Sequence, residues 1–241
     1  MRVATFFTLF LLSLTVSAQV NVGISGGLAH YQVKELRELQ QLASTSFPVP
    51  VQITDNFPDY WFYEVHIQKQ FNKINAGVHL GYGSTGGRIS YADYSGSYTS
   101  DQLLRCYSLL ASIGYRHSLP TENWIVSGSL HTGLLFGSMK LSDQLIIGDL
   151  TYNESDDYVN TNAVVEPHVE VAKVLGRIEL FFNAGYQLTL KGGKVKLKSD
   201  KEQTLTNSEG DPLRLNFDGY RIGLGIRYRF GSAQPKSERK K

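Results

Sequence analysis

The sequence predicts an all-β chain: eight antiparallel strands closed into an up-and-down transmembrane β-barrel with short periplasmic turns and long extracellular loops. Three observations predict it. Apolar and polar residues alternate with a period of two in eight separate segments. The gaps between those segments alternate between brief and long, the pattern of barrels that cross an outer membrane. Aromatic residues gather on the apolar faces toward the strand ends, as interfacial girdles do.

The first strand runs near Val20 to Tyr31, with Val20, Val22, Ile24, Gly26 and Leu28 on its apolar side. The second and third form the stretch "YWFYEVHIQKQFNKINAGVHLGYG" (Tyr60 to Gly83), folded back on itself at Asn72-Lys73. A fourth lies near Leu103 to His117. After "SLPTEN" a fifth runs from Trp124 to Phe136. The sixth is Ala163 to Val174, and a turn at Leu175-Gly176-Arg177 leads to the seventh, Ile178 to Leu190. The eighth is Phe217 to Phe230. Between these strands four gaps are long: Gln32 to Asp59, Ser84 to Gln102, Gly137 to Asn162, and Lys191 to Asn216. An even number of strands brings both mature ends to the periplasmic side.

The inward face follows from the size of the barrel. An interior bounded by eight strands is just wide enough for side chains to fill. The polar faces are rich in glycine, serine and alanine with a few large polar groups, which suits a crowded lumen. A soluble barrel would instead need Trp61, Tyr63, Tyr82, Tyr107 and Trp124 to fill a pocket, and would not need loops of alternating length. The apolar face therefore looks outward, into lipid. Lys69, Arg105 and Lys173 are its few charges, placed near strand ends where they snorkel to the headgroups.

The chain has 241 residues and a formal net charge of +2, so no strong field points to nucleic acid. Its single cysteine, Cys106, excludes an internal disulfide and a cysteine-based zinc site, and reads as a packing residue. The start "MRVATFFTLFLLSLTVSAQV" has a positive n-region, an apolar h-region and small residues before Gln19. Residues 1–18 thus read as a cleaved signal peptide, 19–230 as the outer-membrane barrel domain, and 231–241 as a basic periplasmic tail. The expected location is the outer membrane, reached by export.

The last strand, "YRIGLGIRYRF", resembles the assembly signal of outer-membrane barrels, carried by Arg221, Gly223, Ile226, Tyr228 and Phe230, although eleven residues follow Phe230 here. With Gln19 and "VGISGGLAHY" at the start, the mature chain resembles the small outer-membrane barrels of OmpA/OmpX-like and PorT-like type, common in Bacteroidetes. The resemblance is architectural and carries no catalytic motif. It implies the barrel assembly machinery as a partner during insertion and outer-membrane lipid thereafter, and admits an envelope protein as a further partner in a secretion or envelope assembly.

The residues available for chemistry lie on the inward face. Glu64, Glu166, Glu170 and Glu179 balance Arg116, Arg221, Arg227 and Arg229, with His66, His79, His131 and His168 among them. Buried charges need partners, so the expectation is a salt-bridged plug, without cofactor, metal or catalytic residues. Two other readings stay open: a narrow channel for small solutes or ions, and a barrel enzyme. For the latter Ser129 and His131 share a face, but no third triad member or oxyanion device is evident. In the loops, "VKELRELQQLAS" sets Val33, Leu36, Leu39 and Ala43 on one helical side, predicting a rim helix over the barrel mouth that the following prolines end. "SYADYSGSYTSD" suits adaptable recognition, or strands prolonged beyond the membrane. "YNESDDY" reads as a solvated acidic loop, with calcium or lipopolysaccharide bridging as the alternative. In the fourth loop, Val195 and Leu197 suggest that its ends prolong a hairpin.

Overall fold

A computed structural model describes residues 19–46, 51–120, 123–207 and 209–231. The segment expected to be a signal peptide, residues 1–18, and all of the expected tail but Gly231 lie outside these described residues. Long strands form the molecule: β1 (Gln19–Tyr31), β3 (Tyr60–Phe71), β4 (Ile74–Asp93), β5 (Gly96–Ser118), β6 (Trp124–Ile147), β7 (Leu150–Leu175), β8 (Ile178–Lys191) and β12 (Gly219–Phe230). Each pairs antiparallel with its neighbours, and β1 meets both β3 and β12, so the ladder closes into a ring. Closure gives every strand of the ring two neighbours across the membrane band, which is the condition for crossing a bilayer with strands. No helix among the described residues is long and apolar enough to cross one.

The short-turn end is built by local chemistry. Asn72 takes φ 57° between β3 and β4, and Gly176 takes φ 65° between β7 and β8. Both are residue types that tolerate the left-handed region a tight hairpin turn requires. Between β5 and β6 the chain turns at Asn123, φ 66°, and the Leu119 amide donates to the Trp124 carbonyl at 2.9 Å. The β7–β8 ladder skips Glu166 and Pro167, as expected where proline has no N–H to give.

The polarity of the barrel is inside out. Large apolar side chains on the outer face stand exposed: Leu224 at 67%, Trp61 at 62%, Ile113 at 61% and Val169 at 60%. The register lines Tyr63, Tyr82, Tyr107 and Phe136 up across four neighbouring strands as one aromatic girdle. Phe71, Tyr115, Trp124, Tyr228 and Phe230 mark the other rim, where Lys69 lies over the Phe71 ring and Lys173 over the Trp124 ring. From Trp61 to Phe71 is roughly 33 Å along β3, and roughly 25 Å along the barrel axis at a tilt of about 40°. That matches the apolar band of membrane barrels, roughly 25 Å tall. The fold is therefore a transmembrane barrel with its apolar face in lipid.

Two expected loops prove to be strand. β4 and β5 continue past the girdle to a turn at Tyr94-Ser95, and β6 and β7 continue to a turn at Gly148-Asp149. The cause is in the composition: the stretch 84–102 keeps β-forming Ile89, Tyr91, Tyr98 and Thr99 on either side of the turn at Tyr94-Ser95. β6 runs eleven residues beyond Phe136, roughly 36 Å more of strand, so a four-stranded sheet projects above the band. The acidic stretch Tyr152–Tyr158 is part of β7 in this projection, and among the described residues its carboxylates do not gather into a ligand set.

The first and fourth loops fold over the mouth. The expected rim helix is present as α1 (Lys34–Ser46), followed by β2 (Gln52–Asn56), which pairs with β4. In the fourth loop β9 (Gly193–Lys194) pairs with β11 (Arg214–Leu215), prolonging the hairpin ends, while β10 (Lys196–Leu197) crosses to pair with β7.

Candidate functional site: a three-layered lumen

The candidate site is the lumen, which fills in three layers. At the loop end an apolar plug closes it. Val33 and Leu36 from α1 and its approach, Phe57 from the first loop, and Leu213, Leu215 and Phe217 from the fourth loop pack as one buried cluster with Tyr31, Tyr60 and Leu135 of the barrel wall. Phe57 is 1% exposed and sits at φ 45°, a backbone region costly for a bulky residue. Bonds on both sides hold it: its amide donates to the Gly86 carbonyl at 3.0 Å, and Arg37 Nη2 donates to its carbonyl at 3.1 Å.

The middle layer is built around Arg221 on β12. Its guanidinium donates from Nη2 to Glu64 Oε2 at 2.8 Å and from Nη1 to Glu166 Oε2 at 3.0 Å, and lies 4.3 Å from the Phe62 ring centre. The remaining oxygen of each glutamate meets histidine: Glu64 Oε1 is 2.8 Å from His79 Nδ1, and Glu166 Oε1 is 3.0 Å from His168 Nδ1. The four imidazoles run across the lumen in contact, with ring centres 5.2 Å apart for His66–His79, 4.3 Å for His79–His131 and 4.4 Å for His131–His168.

The third layer, toward the short turns, is centred on Glu179, which is fully buried. Its carboxylate accepts from Arg116 Nη2 at 2.9 and 2.8 Å, and pairs with Arg227 Nε at 3.0 Å and Arg229 Nε at 3.6 Å. Arg227 also reaches Glu170 and donates to Gln68 Oε1 at 2.8 Å, with the Phe181 ring 4.6 Å from its guanidinium carbon.

All twelve residues expected on the lumen face thus come together, Arg229 at the rim and the rest within. The sequence reading did not name their neutral partners Gln68, Gln70 and Ser112 as site residues, nor the inward aromatics Phe62 and Phe181. Gln68 and Gln70 share a strand face with Glu64 and His66, a signal that was available. Phe62 and Phe181 broke the polar-inside rule because each roofs an arginine, where a ring face attracts a cation. Inward glycines make room for them: a Cβ on Gly225 would lie 2.2 Å from the Phe181 ring. Of the terminal-strand residues, Arg221 and Gly223 lie on the lumen side, while Ile226, Tyr228 and Phe230 lie on the lipid side.

Two chemical arrangements emerge. Ser112 Oγ is 2.9 Å from His79 Nε2, whose Nδ1 meets Glu64, giving the order of a serine–histidine–carboxylate relay. Ser129 Oγ is 3.0 Å from His131 Nε2, but His131 Nδ1 lies 4.0 Å from Glu166, beyond a hydrogen bond. Ser112 is 8% exposed on a strand whose ladder occupies the backbone amides, and the adjoining cavity is about 10 Å³, with room for no acyl group. The second arrangement is a pair of ligand-like trios, Glu64/His66/His79 and His131/Glu166/His168.

No protein-family model matches the chain, and no curated protein matches it. Among solved structures the chain is similar to a major outer membrane protein from Thermus thermophilus, at 10% identity and a TM-score of 0.45, covering 88% of this chain and 99% of that one. It is also similar to Ail, the attachment invasion locus protein of Yersinia pestis, at 13% identity and a TM-score of 0.38, covering 89% of this chain and 100% of that one. The outer membrane protease OmpT from Escherichia coli gives 10% identity and a TM-score of 0.41, with 90% and 99% covered. The barrel assignment rests on the closed ladder and inverted polarity of this chain, not on these likenesses.

Proposed function

We propose that this chain is an outer-membrane barrel with a closed lumen, acting as a structural or accessory component of an envelope or secretion assembly through the surface that projects beyond the membrane. The observation that carries this reading is closure at two levels. The lumen cavities beneath the plug and beside the histidines are about 20 and 10 Å³, the room of single water molecules. A conducting path would have to part the apolar plug and the Glu179 charge cluster, in which Arg116 and Arg227 are buried against the carboxylate. The projecting sheet supports the interaction role, because Ile147, Leu150 and Tyr152 are exposed where neither lipid nor core covers them.

The test is purification of a tagged copy from native membranes in mild detergent, with identification of what accompanies it, followed by reconstitution into planar bilayers. A stoichiometric envelope partner and no ion conductance are expected. A chain that comes out alone and conducts, with conductance altered by Arg221→Ala, would replace this reading with that of a narrow channel.

A further inference from the structure

We propose that the middle layer of the lumen binds one divalent transition-metal ion of the zinc class, through Glu64 Oε1, His66 Nδ1 and His79 Nδ1. Geometry, an unmet bonding need, charge and space point to it independently. One ligand atom from each of the three residues lies within 4.8 Å of the others. Glu64 Oε1 is 2.8 Å from His79 Nδ1 and 3.9 Å from His66 Nδ1. Two ligands of a tetrahedral zinc ion, each about 2.0–2.1 Å from the metal, stand roughly 3.3 Å apart. These two separations bracket that value, and shifts of about half an ångström bring both pairs to it.

The unmet need is at His66. It is 3% exposed, yet neither ring nitrogen has a hydrogen-bond partner. Buried polar groups are almost always satisfied, and each that is not costs about 1–3 kcal/mol. The ring is pressed against the backbone of Gly23, where a Cβ would lie 2.5 Å from Nε2, and this holds Nδ1 on the Glu64 side. The far nitrogen of His79 faces the Ser112 hydroxyl at 2.9 Å and the Gln68 amide nitrogen at 3.3 Å; binding at Nδ1 would have Nε2 donate to Ser112, with the longer Gln68 contact giving way.

Charge favours one cation. Arg227, beside His66, pairs with Glu170 and Glu179. Counting carboxylates and guanidinium groups, the middle layer sets Arg221 alone against Glu64 and Glu166, one formal negative charge by that count. A single dication turns that to one positive charge, whereas a second ion in the mirror trio would add two more beside Arg221. The adjoining cavity of about 10 Å³ accepts one small ion. Two imidazoles and one carboxylate suit zinc-class ions, not calcium or magnesium, which demand oxygen. Because both ends of the lumen are closed, the ion enters as the barrel folds.

The experiment measures metal content and Co²⁺ absorption on the full mature chain. Protein purified from membranes without added metal is expected to carry about one equivalent of a first-row transition ion. Protein refolded into detergent with Co²⁺ is expected to show imidazole-ligated d–d bands that Zn²⁺ suppresses during refolding. Co²⁺ added after metal-free refolding should enter far more slowly. His66→Ala is expected to abolish the bands, Ser112→Ala to weaken binding by about 10- to 100-fold, and His168→Ala to leave the ion in place. Heat-dependent gel mobility checks that each variant forms a barrel. The wild-type measurements stand alone if a variant does not fold. A metal-free native chain with no Co²⁺ bands after refolding overturns the proposal, and so does an ion that survives His66→Ala and is lost in His168→Ala.

Discussion

Leu224→Arg tests the orientation of the barrel's faces at one residue. Leu224 is on the outer face of β12, 67% exposed, four residues from Tyr220 and four from Tyr228 in the two aromatic rims. Four strand steps at a tilt of about 40° put it about 10 Å from either rim, near the midplane of the apolar band. An arginine there cannot reach the headgroups as Lys69 and Lys173 do from the strand ends. The expected cost is about 2–4 kcal/mol, against about 0–1 for the same change near an interface. In the folding equilibrium that is about 30- to 700-fold. Leu175→Arg at the end of β7 is the control. Both are measured by reversible denaturant unfolding into lipid vesicles. Were the outer face solvated instead, an exposed Leu→Arg change would fall within about 0.5 kcal/mol. Equal, small effects at positions 224 and 175 would refute the lipid-facing assignment.

Two further predictions address the lumen and the projecting sheet. Glu179→Gln leaves Arg116, Arg227 and Arg229 facing one another without their shared carboxylate, and should destabilise the barrel by about 3–5 kcal/mol in the same unfolding assay. Adding Arg116→Met should recover part of that loss, and strict additivity would show the two residues to be uncoupled. Beyond the membrane, Asp93 accepts from the Ser95 and Tyr91 hydroxyls and from the Ser95 and Gly96 amides, which together hold its carboxyl down at about 2. A depressed folded value means that its contribution is full above the ordinary aspartate range and is lost as pH falls through about 2. Chemical-shift titration should find that midpoint, and a midpoint near 3.8 would show that the turn bonds do not persist.

Strand number, order and the inward face were legible because period-two alternation leaves little choice once the barrel is small: Trp61 and Glu64 cannot both face in. The extent of the strands was less so. Beyond the membrane band both faces meet water or loops, so the alternation at positions 84–102 and 137–162 no longer separates apolar from polar, and strand looks like loop. Of the apolar plug only the rim helix with Val33 and Leu36 was legible, for a related reason. Leu213, Leu215 and Phe217 are far in sequence from Val33 and Leu36, and only the closed barrel brings the first and fourth loops to one mouth.

The lumen also shows why a balanced list of charges understates a site. Read as a sequence, four glutamates oppose four arginines and the sum is zero. In space the arginines are not shared evenly: Glu179 and Glu170 gather Arg116, Arg227 and Arg229 at the short-turn end, and Arg221 alone serves Glu64 and Glu166. The overall balance hides a positive layer beneath a negative one. Strand position shapes this division, since Arg227 and Arg229 lie six and eight residues beyond Arg221 on the same strand, where Arg227 stands beside His66 but carries its guanidinium to Glu170 and Glu179. All four lumen histidines fall in the negative layer. A plug needed only for closure gains nothing from separating charge across a low-dielectric interior, where the separation costs energy. The proposed cation would sit where two glutamates share one arginine, the part of the lumen that best compensates its charge.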